Sequence, residues 1–248
     1  MEKPDRRRII VALDVPNQRA AIKLAKSLAP SICRVKVGME LFVAAGPSVV
    51  KALQRLGFEV FLDLKFKDIP NTVAGAVRAA CRMGVWMCNV HADGGSKMMR
   101  FAAGAAQQDL LVTGVTVLTS MDEDNLSAIG VHLTPKNQVM RLAKLAMGSH
   151  LHGVVCSGLE VADLRAQLGP DFILVTPGIR LPDGNKDDQI RIVTPEMAIE
   201  SGADYIVVGR PITEATCPGS ALLDFDRRVL SALGGFRDGD ILNRQSCQ

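Results

Sequence analysis

At 248 residues with 48% hydrophobic content, the chain is long enough for one large α/β domain and has ample material for a core. Its net charge of +3 is small and dispersed apart from Arg6, Arg7 and Arg8, and aromatics make up only 4%, which is poor material for a base-stacking nucleic-acid surface. No apolar run reaches the roughly 18 residues of a membrane span, and residues 1–8 are too polar for a secretory signal.

Taken in order, short apolar runs alternate with longer Ala- and Leu-rich stretches of helical period. The run R-I-I-V-A-L over 8–13 predicts a strand that ends at Asp14. Asn17 can cap a helix to about residue 28, with Ala21, Leu24, Ala25 and Leu28 on one face. A second strand over 34–37 carries Lys36, and Gly46-Pro47 separates a helical turn over 40–45 from a longer helix to residue 56. The third strand covers 60–64 and precedes a helix over 71–83; the fourth covers 86–90 and ends at His91. Gly94-Gly95 then turns into a helix through about residue 107. The V/T-rich run over 110–118 predicts strand five, ending at Thr119 and Ser120, before helices over 122–129 and 136–147. Strands six and seven fall at 153–156 and 172–175 with a helix over 161–168 between them, followed by a polar loop over 176–191. Thr194 caps and Pro195 opens a helix to about 201; strand eight covers 205–208, and the last helix 221–233.

Alternating buried strands and helices require a parallel sheet. Eight units in this length predict an α/β fold of one domain, a (β/α)8 TIM barrel over 1–235, with 236–248 a polar tail. No G-x-G-x-x-G follows the first strand, which counts against a dinucleotide-binding fold. The six cysteines (Cys33, Cys81, Cys88, Cys156, Cys217 and Cys247) form no C-x-x-C, and they read as reduced thiols of a cytoplasmic protein.

Barrel strands converge at their carboxyl ends, where active sites sit. Asp14, Lys36, Asp63, Lys65, Thr119 and Ser120 all fall at such ends. Alternation puts Asp63 and Lys65 on one face of strand three. Alone they would read as a plain ion pair, but Asp68 follows three residues later, and two Asp and two Lys sharing one mouth read as a catalytic constellation. After strand seven comes T-P-G-I-R, with Pro177 and Arg180; after strand eight comes V-G-R-P-I-T. Loops after strands seven and eight form the usual barrel phosphate cradle. Gly209 admits close backbone approach, and Arg210 supplies a planar fork suited to phosphate oxygens.

The stretch F-L-D-L-K-F-K-D-I-P-N-T over 61–72 resembles the signature of the orotidine 5'-phosphate decarboxylase family, bacterial type. D-x-K-x-x-D is shared across a superfamily of sugar-phosphate decarboxylases and synthases; the I-P-N-T extension is the specific part. Lys67 stands where many bacterial relatives carry His. The resemblance implies decarboxylation of orotidine 5'-monophosphate to UMP, without cofactor or metal, in a homodimer. It implies Lys65 as proton donor, with Lys36, Asp63 and Asp68 completing the catalytic group. Asp14 and Lys36 would bind the ribose, and Asp63 would face the substrate carboxylate. Asp68, Ile69 and Thr72 would act near the ribose, with Asp68 and Thr72 crossing the subunit interface. Thr119 or Ser120 would meet the pyrimidine amide, and Pro177, Arg180, Gln189, Gly209 and Arg210 the phosphate side. The rival within the superfamily is a Mg2+-dependent sugar-phosphate decarboxylase or synthase, which shares D-x-K-x-x-D but needs further acidic ligands.

Overall fold

The computed structural model describes residues 7–107, 109–181 and 193–234. Eight parallel strands close into a barrel in chain order: β1 (Ile9–Ala12), β2 (Cys33–Val37), β3 (Val60–Phe66), β4 (Met87–His91), β5 (Leu111–Val115), β6 (Gly153–Val155), β7 (Ile173–Thr176) and β8 (Tyr205–Val208). The ring closes through β1 and β8, with Ile9 beside Ile206 and Val11 beside Val208. This is the (β/α)8 barrel expected from the alternation.

The strand period of two sorts residues into two cores. On β1, Ile9, Val11 and Leu13 pack outward against the helices, while Ile10 and Ala12 join an inner cluster with Phe61, Met87, Val175 and Val207. The outer helices are α1 (Gln18–Ala25), α2 (Met39–Ala45), α3 (Pro47–Arg55), α4 (Pro70–Arg82), α5 (Ser96–Ala105), α6 (Glu123–Ala128), α7 (Pro135–Met147), α8 (Val161–Leu168), α9 (Pro195–Glu200), the single turn α10 (Arg210–Thr213) and α11 (Pro218–Ala232). The longer ones bury an apolar stripe, while α2, α6 and α10 each bury a single residue. In α4 the stripe is Val73, Ala74, Val77, Ala80 and Cys81, at helical spacing. Pro opens α3, α4, α7, α9 and α11, where its missing N–H costs nothing. Asn17 and Thr194 cap α1 and α9 as expected, each accepting from a backbone N–H.

Arg34 closes the base of the barrel. It is buried on the inner face of β2, its guanidinium 4.0 Å from the Trp86 ring centroid and 5.2 Å from that of Tyr205. Trp86 and Tyr205 meet edge to face at 5.0 Å. The Arg34 Nε donates to Glu59 at 2.7 Å, and its Nη1 donates to the Arg7 carbonyl, so this buried cation is paired. Gly153 on β6 is needed for packing: a Cβ there would collide with the Ile173 backbone.

Several boundaries differ from expectation, among them the end of α1, which stops at Ala25 and not near residue 28. β3 runs two residues further, to Phe66, with a register break against β4 between Leu62 and Phe66. β5 stops at Val115; Thr116 bonds the Val155 carbonyl through both its N–H and its hydroxyl, and the chain then leaves the sheet. α11 begins at Pro218. The described cysteines are free, with Cys33, Cys81, Cys88 and Cys156 buried. Burial pushes the thiols of Cys33 and Cys88 up to about 12, so they stay protonated and inert. Cys247 and the tail over 236–248 lie outside the described residues. Among the described residues no helix is long and apolar enough to cross a membrane.

Candidate active site

Lys36 is the next inward-facing residue after Arg34 on β2, and Asp63 the next after Phe61 on β3. Both are buried just below the carboxyl-terminal mouth. The Lys36 Nζ lies 3.2 Å from Asp63 Oδ2 and 3.0 Å from Asp14 Oδ1; the Lys65 Nζ lies 2.6 Å from Asp63 Oδ1. The four side chains thus alternate in charge, Asp14–Lys36–Asp63–Lys65, across three adjacent strands. Burial alone would push the Asp63 carboxyl up, but Lys36, Lys65 and the hydrogen bonds from Lys65 and Asn89 hold it below the ordinary carboxylate value. Burial would likewise push the Lys36 ammonium down, and Asp63 and Asp14 reverse that, so it stays above the ordinary lysine value. Both groups are therefore ionised at neutral pH. Gly38 makes room for this chain: a Cβ would come within 3.1 Å of Asp14 Oδ1 and 3.2 Å of Lys36 Nζ.

Lys65 has left-handed backbone, φ 52°, an uncommon conformation for a residue with a side chain. It falls inside the register break of β3, so simple alternation does not carry its ammonium to Asp63; the irregular backbone does. The Lys65 N–H donates to Asn89 Oδ1 at 2.8 Å, and Asn89 Nδ2 donates to Asp63 Oδ1 at 2.7 Å. Asn89 is 1% exposed. The reading of the sequence missed it as a site residue. Its signal was a lone amide within the apolar run M-C-N-V, on the strand next to β3.

These groups line a cavity of about 580 Å³ at the mouth. From the β1–β3 side come Asp14, Lys36, Asp63 and Lys65. From the segment after β5 come Thr119 and Ser120, and from those after β7 and β8 come Pro177, Arg180, Gly209 and Arg210. Apolar side chains of the inner core, including Phe61, Val155 and Val207, floor it. Arg180 is buried and donates from Nη1 to the Ile179 carbonyl at 2.9 Å, yet it still borders the cavity. Gly209 leads into α10, and a Cβ there would meet Ala12 at only ordinary contact distance, 3.8 Å. The cavity therefore combines two arginines and a glycine turn with the alternating charges.

Asp68, Ile69 and Thr72 do not line this cavity. They are exposed at the outer rim, Ile69 by 68%, and Asp68 Oδ1 accepts from the Ile69 N–H at 2.6 Å. Lys67 lies beside them and pairs with Asp93 at 2.7 Å. Gln189 lies outside the described residues. Two other polar strand ends face elsewhere: the Ser157 hydroxyl accepts from the Leu159 N–H, and Thr176 is fully buried. Among the described residues, no group of three His, Cys, Asp or Glu side chains stands close enough to hold a metal ion.

Residues 7–225 match the model of the orotidine 5'-phosphate decarboxylase / HUMPS family. Orotidine 5'-phosphate decarboxylase of Nitrosomonas europaea is 56% identical over 228 residues, covering 91% of this chain and 98% of that protein. The enzyme of Nitrosomonas eutropha is 54% identical over 227 residues, with the same coverage of both chains. The crystal structure of orotidine 5'-phosphate decarboxylase from Lactobacillus acidophilus superposes with a TM-score of 0.81 at 40% identity, covering 90% of this chain and 99% of that one.

Proposed function

The chain belongs to the orotidine 5'-phosphate decarboxylase / HUMPS family, and we propose that it converts orotidine 5'-phosphate to UMP and CO2 with Lys65 as the proton donor. Such an enzyme is a carbon–carbon lyase acting at the last step of pyrimidine synthesis. The observation that carries the mechanistic reading is the alternating Asp14–Lys36–Asp63–Lys65 chain at the barrel mouth.

Breaking the bond between C6 and its carboxylate releases CO2 and leaves the electron pair in an sp2 orbital at C6. The ring offers that orbital no adjacent electron sink, so stabilisation must come from fixed charge. The Lys65 ammonium supplies it and then delivers a proton to C6, becoming a neutral amine that is recharged from solvent. Asp63 holds this ammonium in place from 2.6 Å and faces the departing carboxylate. Asp14 and Lys36 bind the ribose hydroxyls, and Thr119, with Ser120 beside it, reads the pyrimidine amide. Arg180, Gly209 and Arg210 hold the phosphate, with Pro177 shaping the turn; Gln189, the other residue the resemblance puts on the phosphate side, lies outside the described residues. Grip on the distant phosphate supplies binding energy for orienting the reacting end.

The reading includes a homodimer. Asp68 and Thr72 sit with Ile69 on the exposed rim, away from their own cavity, where a second subunit's site can receive Asp68 and Thr72. It also puts the enzyme in the cytoplasm, which its free thiols fit.

The deciding experiment follows orotidine 5'-phosphate loss by absorbance in excess EDTA. Turnover to UMP at an unchanged rate is expected. Activity that disappeared with chelator and returned with Mg2+ would overturn the metal-free reading in favour of the sugar-phosphate branch.

A further inference from the structure

We infer that Asn89 is a positioning residue for Lys65: its amide spans the backbone of the proton donor and the carboxylate that holds the donor's ammonium. The inference deepens the proposed function and rests on its assignment of Lys65.

An ammonium delivers a proton to a defined carbon only if both ends of its side chain are anchored. The Nζ end is anchored by Asp63. The backbone end is unusual, because φ of 52° disfavours any side chain bearing a Cβ, and the β3–β4 ladder that would normally pin the strand is interrupted there. Asn89 takes over the ladder's task. Its Oδ1 accepts the Lys65 N–H that the broken register leaves unpaired with β4 backbone, at 2.8 Å. Its Nδ2 donates to Asp63 Oδ1, the same oxygen that Lys65 Nζ contacts. One planar amide thus fixes the start of the lysine side chain and the target of its end.

The residue type is close to obligatory. Asp could accept from Lys65 but would set a second carboxylate against Asp63. Leu has similar volume but can do neither. Burial at 1% exposure leaves water little access to replace the lost bonds. The titratable groups around Asp63 are Lys36, Lys65, Asp14 through Lys36, and His91 at the end of β4. The side-chain acceptor that meets the Lys65 N–H is Asn89 Oδ1.

The test compares Asn89→Leu and Asn89→Asp with wild type by steady-state kinetics, pH profile and amide hydrogen exchange at Lys65. N89L should lower kcat about 10²-fold with KM changed less than threefold, because a misaimed donor costs the chemical step and not binding. Its Lys65 amide should exchange at least about tenfold faster. N89D keeps the acceptor, so the Lys65 amide should stay protected, while the acid limb of kcat/KM moves to higher pH by about one unit as Asp63 gains a like-charged neighbour. Wild-type kcat per folded N89L molecule with a protected Lys65 amide would overturn the inference. Should N89L not fold, an unmoved acid limb in N89D would do the same. Absence of orotidine 5'-phosphate turnover in the wild type would instead reject the proposed function, and the exchange measurement would still judge Asn89.

Discussion

Lys36 and Asp63 face each other across adjacent strands at 3.2 Å, and both are buried. Neither could remain charged there alone, so each sets the ionisation of the other. The consequence for stability has a definite sign. Asp63 titrates below the ordinary carboxylate value, so it stabilises the fold above about pH 4, and that contribution is lost as pH falls toward its depressed folded value. Lys36 titrates above the ordinary lysine value, so its contribution is full below about pH 10 and is lost only as pH rises through the elevated folded value. Denaturant titrations from pH 3 to 7 should show wild-type stability falling on the acid side, with a shallower fall in Asp63→Asn. Equal acid slopes would show that Asp63 is not titrating at a depressed value.

Lys65→Ala should reduce kcat by at least about 10⁴-fold, since under the proposed mechanism it removes both the charge that stabilises the C6 carbanion and the proton that quenches it. UMP binding, measured by calorimetry, should survive within about tenfold, because Arg180 and Arg210 are untouched. A variant that lost binding and turnover in parallel would assign Lys65 to ligand capture.

Arg210→Ala tests the phosphate grip on its own. It should lower kcat/KM for orotidine 5'-phosphate by about 10- to 100-fold, the usual cost of one charged hydrogen-bonding partner. The phosphate-free nucleoside should be processed as before, within a few-fold. Equal damage to both substrates would make Arg210 a structural support of the β8 turn.

The rim cluster of Asp68, Ile69 and Thr72 is tested by mixing two inactive homodimers, Lys65→Ala and Asp68→Ala, and allowing exchange. Half of the randomly formed dimers are mixed, and one of their two sites draws Lys65 and Asp68 from different chains, so about a quarter of wild-type activity should return. If Asp68 served its own subunit's site, no mixed site would be complete, and exchange would restore nothing.

Much of the barrel was legible because its signals are strong and local. β-branched runs bounded by turn residues gave strand positions; asking which polar residues end a strand singled out Asp14, Lys36, Asp63, Thr119 and Arg210, and the loop after strand seven added Arg180, all of which line the cavity. The errors came where nonlocal structure overrides the pattern. Thr116, Val117 and Leu118 extend an apolar run and read as strand, yet the chain leaves the sheet at Val115 to carry Thr119 and Ser120 over the mouth. Alternation correctly paired Asp63 with Lys65 but for an incomplete reason: the register break and the left-handed backbone at Lys65 bring them together, and neither is visible in D-L-K. Asn89 escaped because its role depends on a hydrogen bond to a strand twenty-four residues earlier, which no window along the chain contains.

The guanidinium of Arg34, stacked on Trp86 and Tyr205 at the base of the barrel, has a consequence for molecular traffic. Below the reacting groups, the barrel axis is stoppered by a buried cation and two rings, so the catalytic chamber is a cul-de-sac along that axis. On the proposed reading, the nucleotide product backs out past the same threshold the substrate crossed. On that reading a departing UMP obstructs the next arrival, and occupancy by substrate and by product is mutually exclusive through the geometry of the doorway itself.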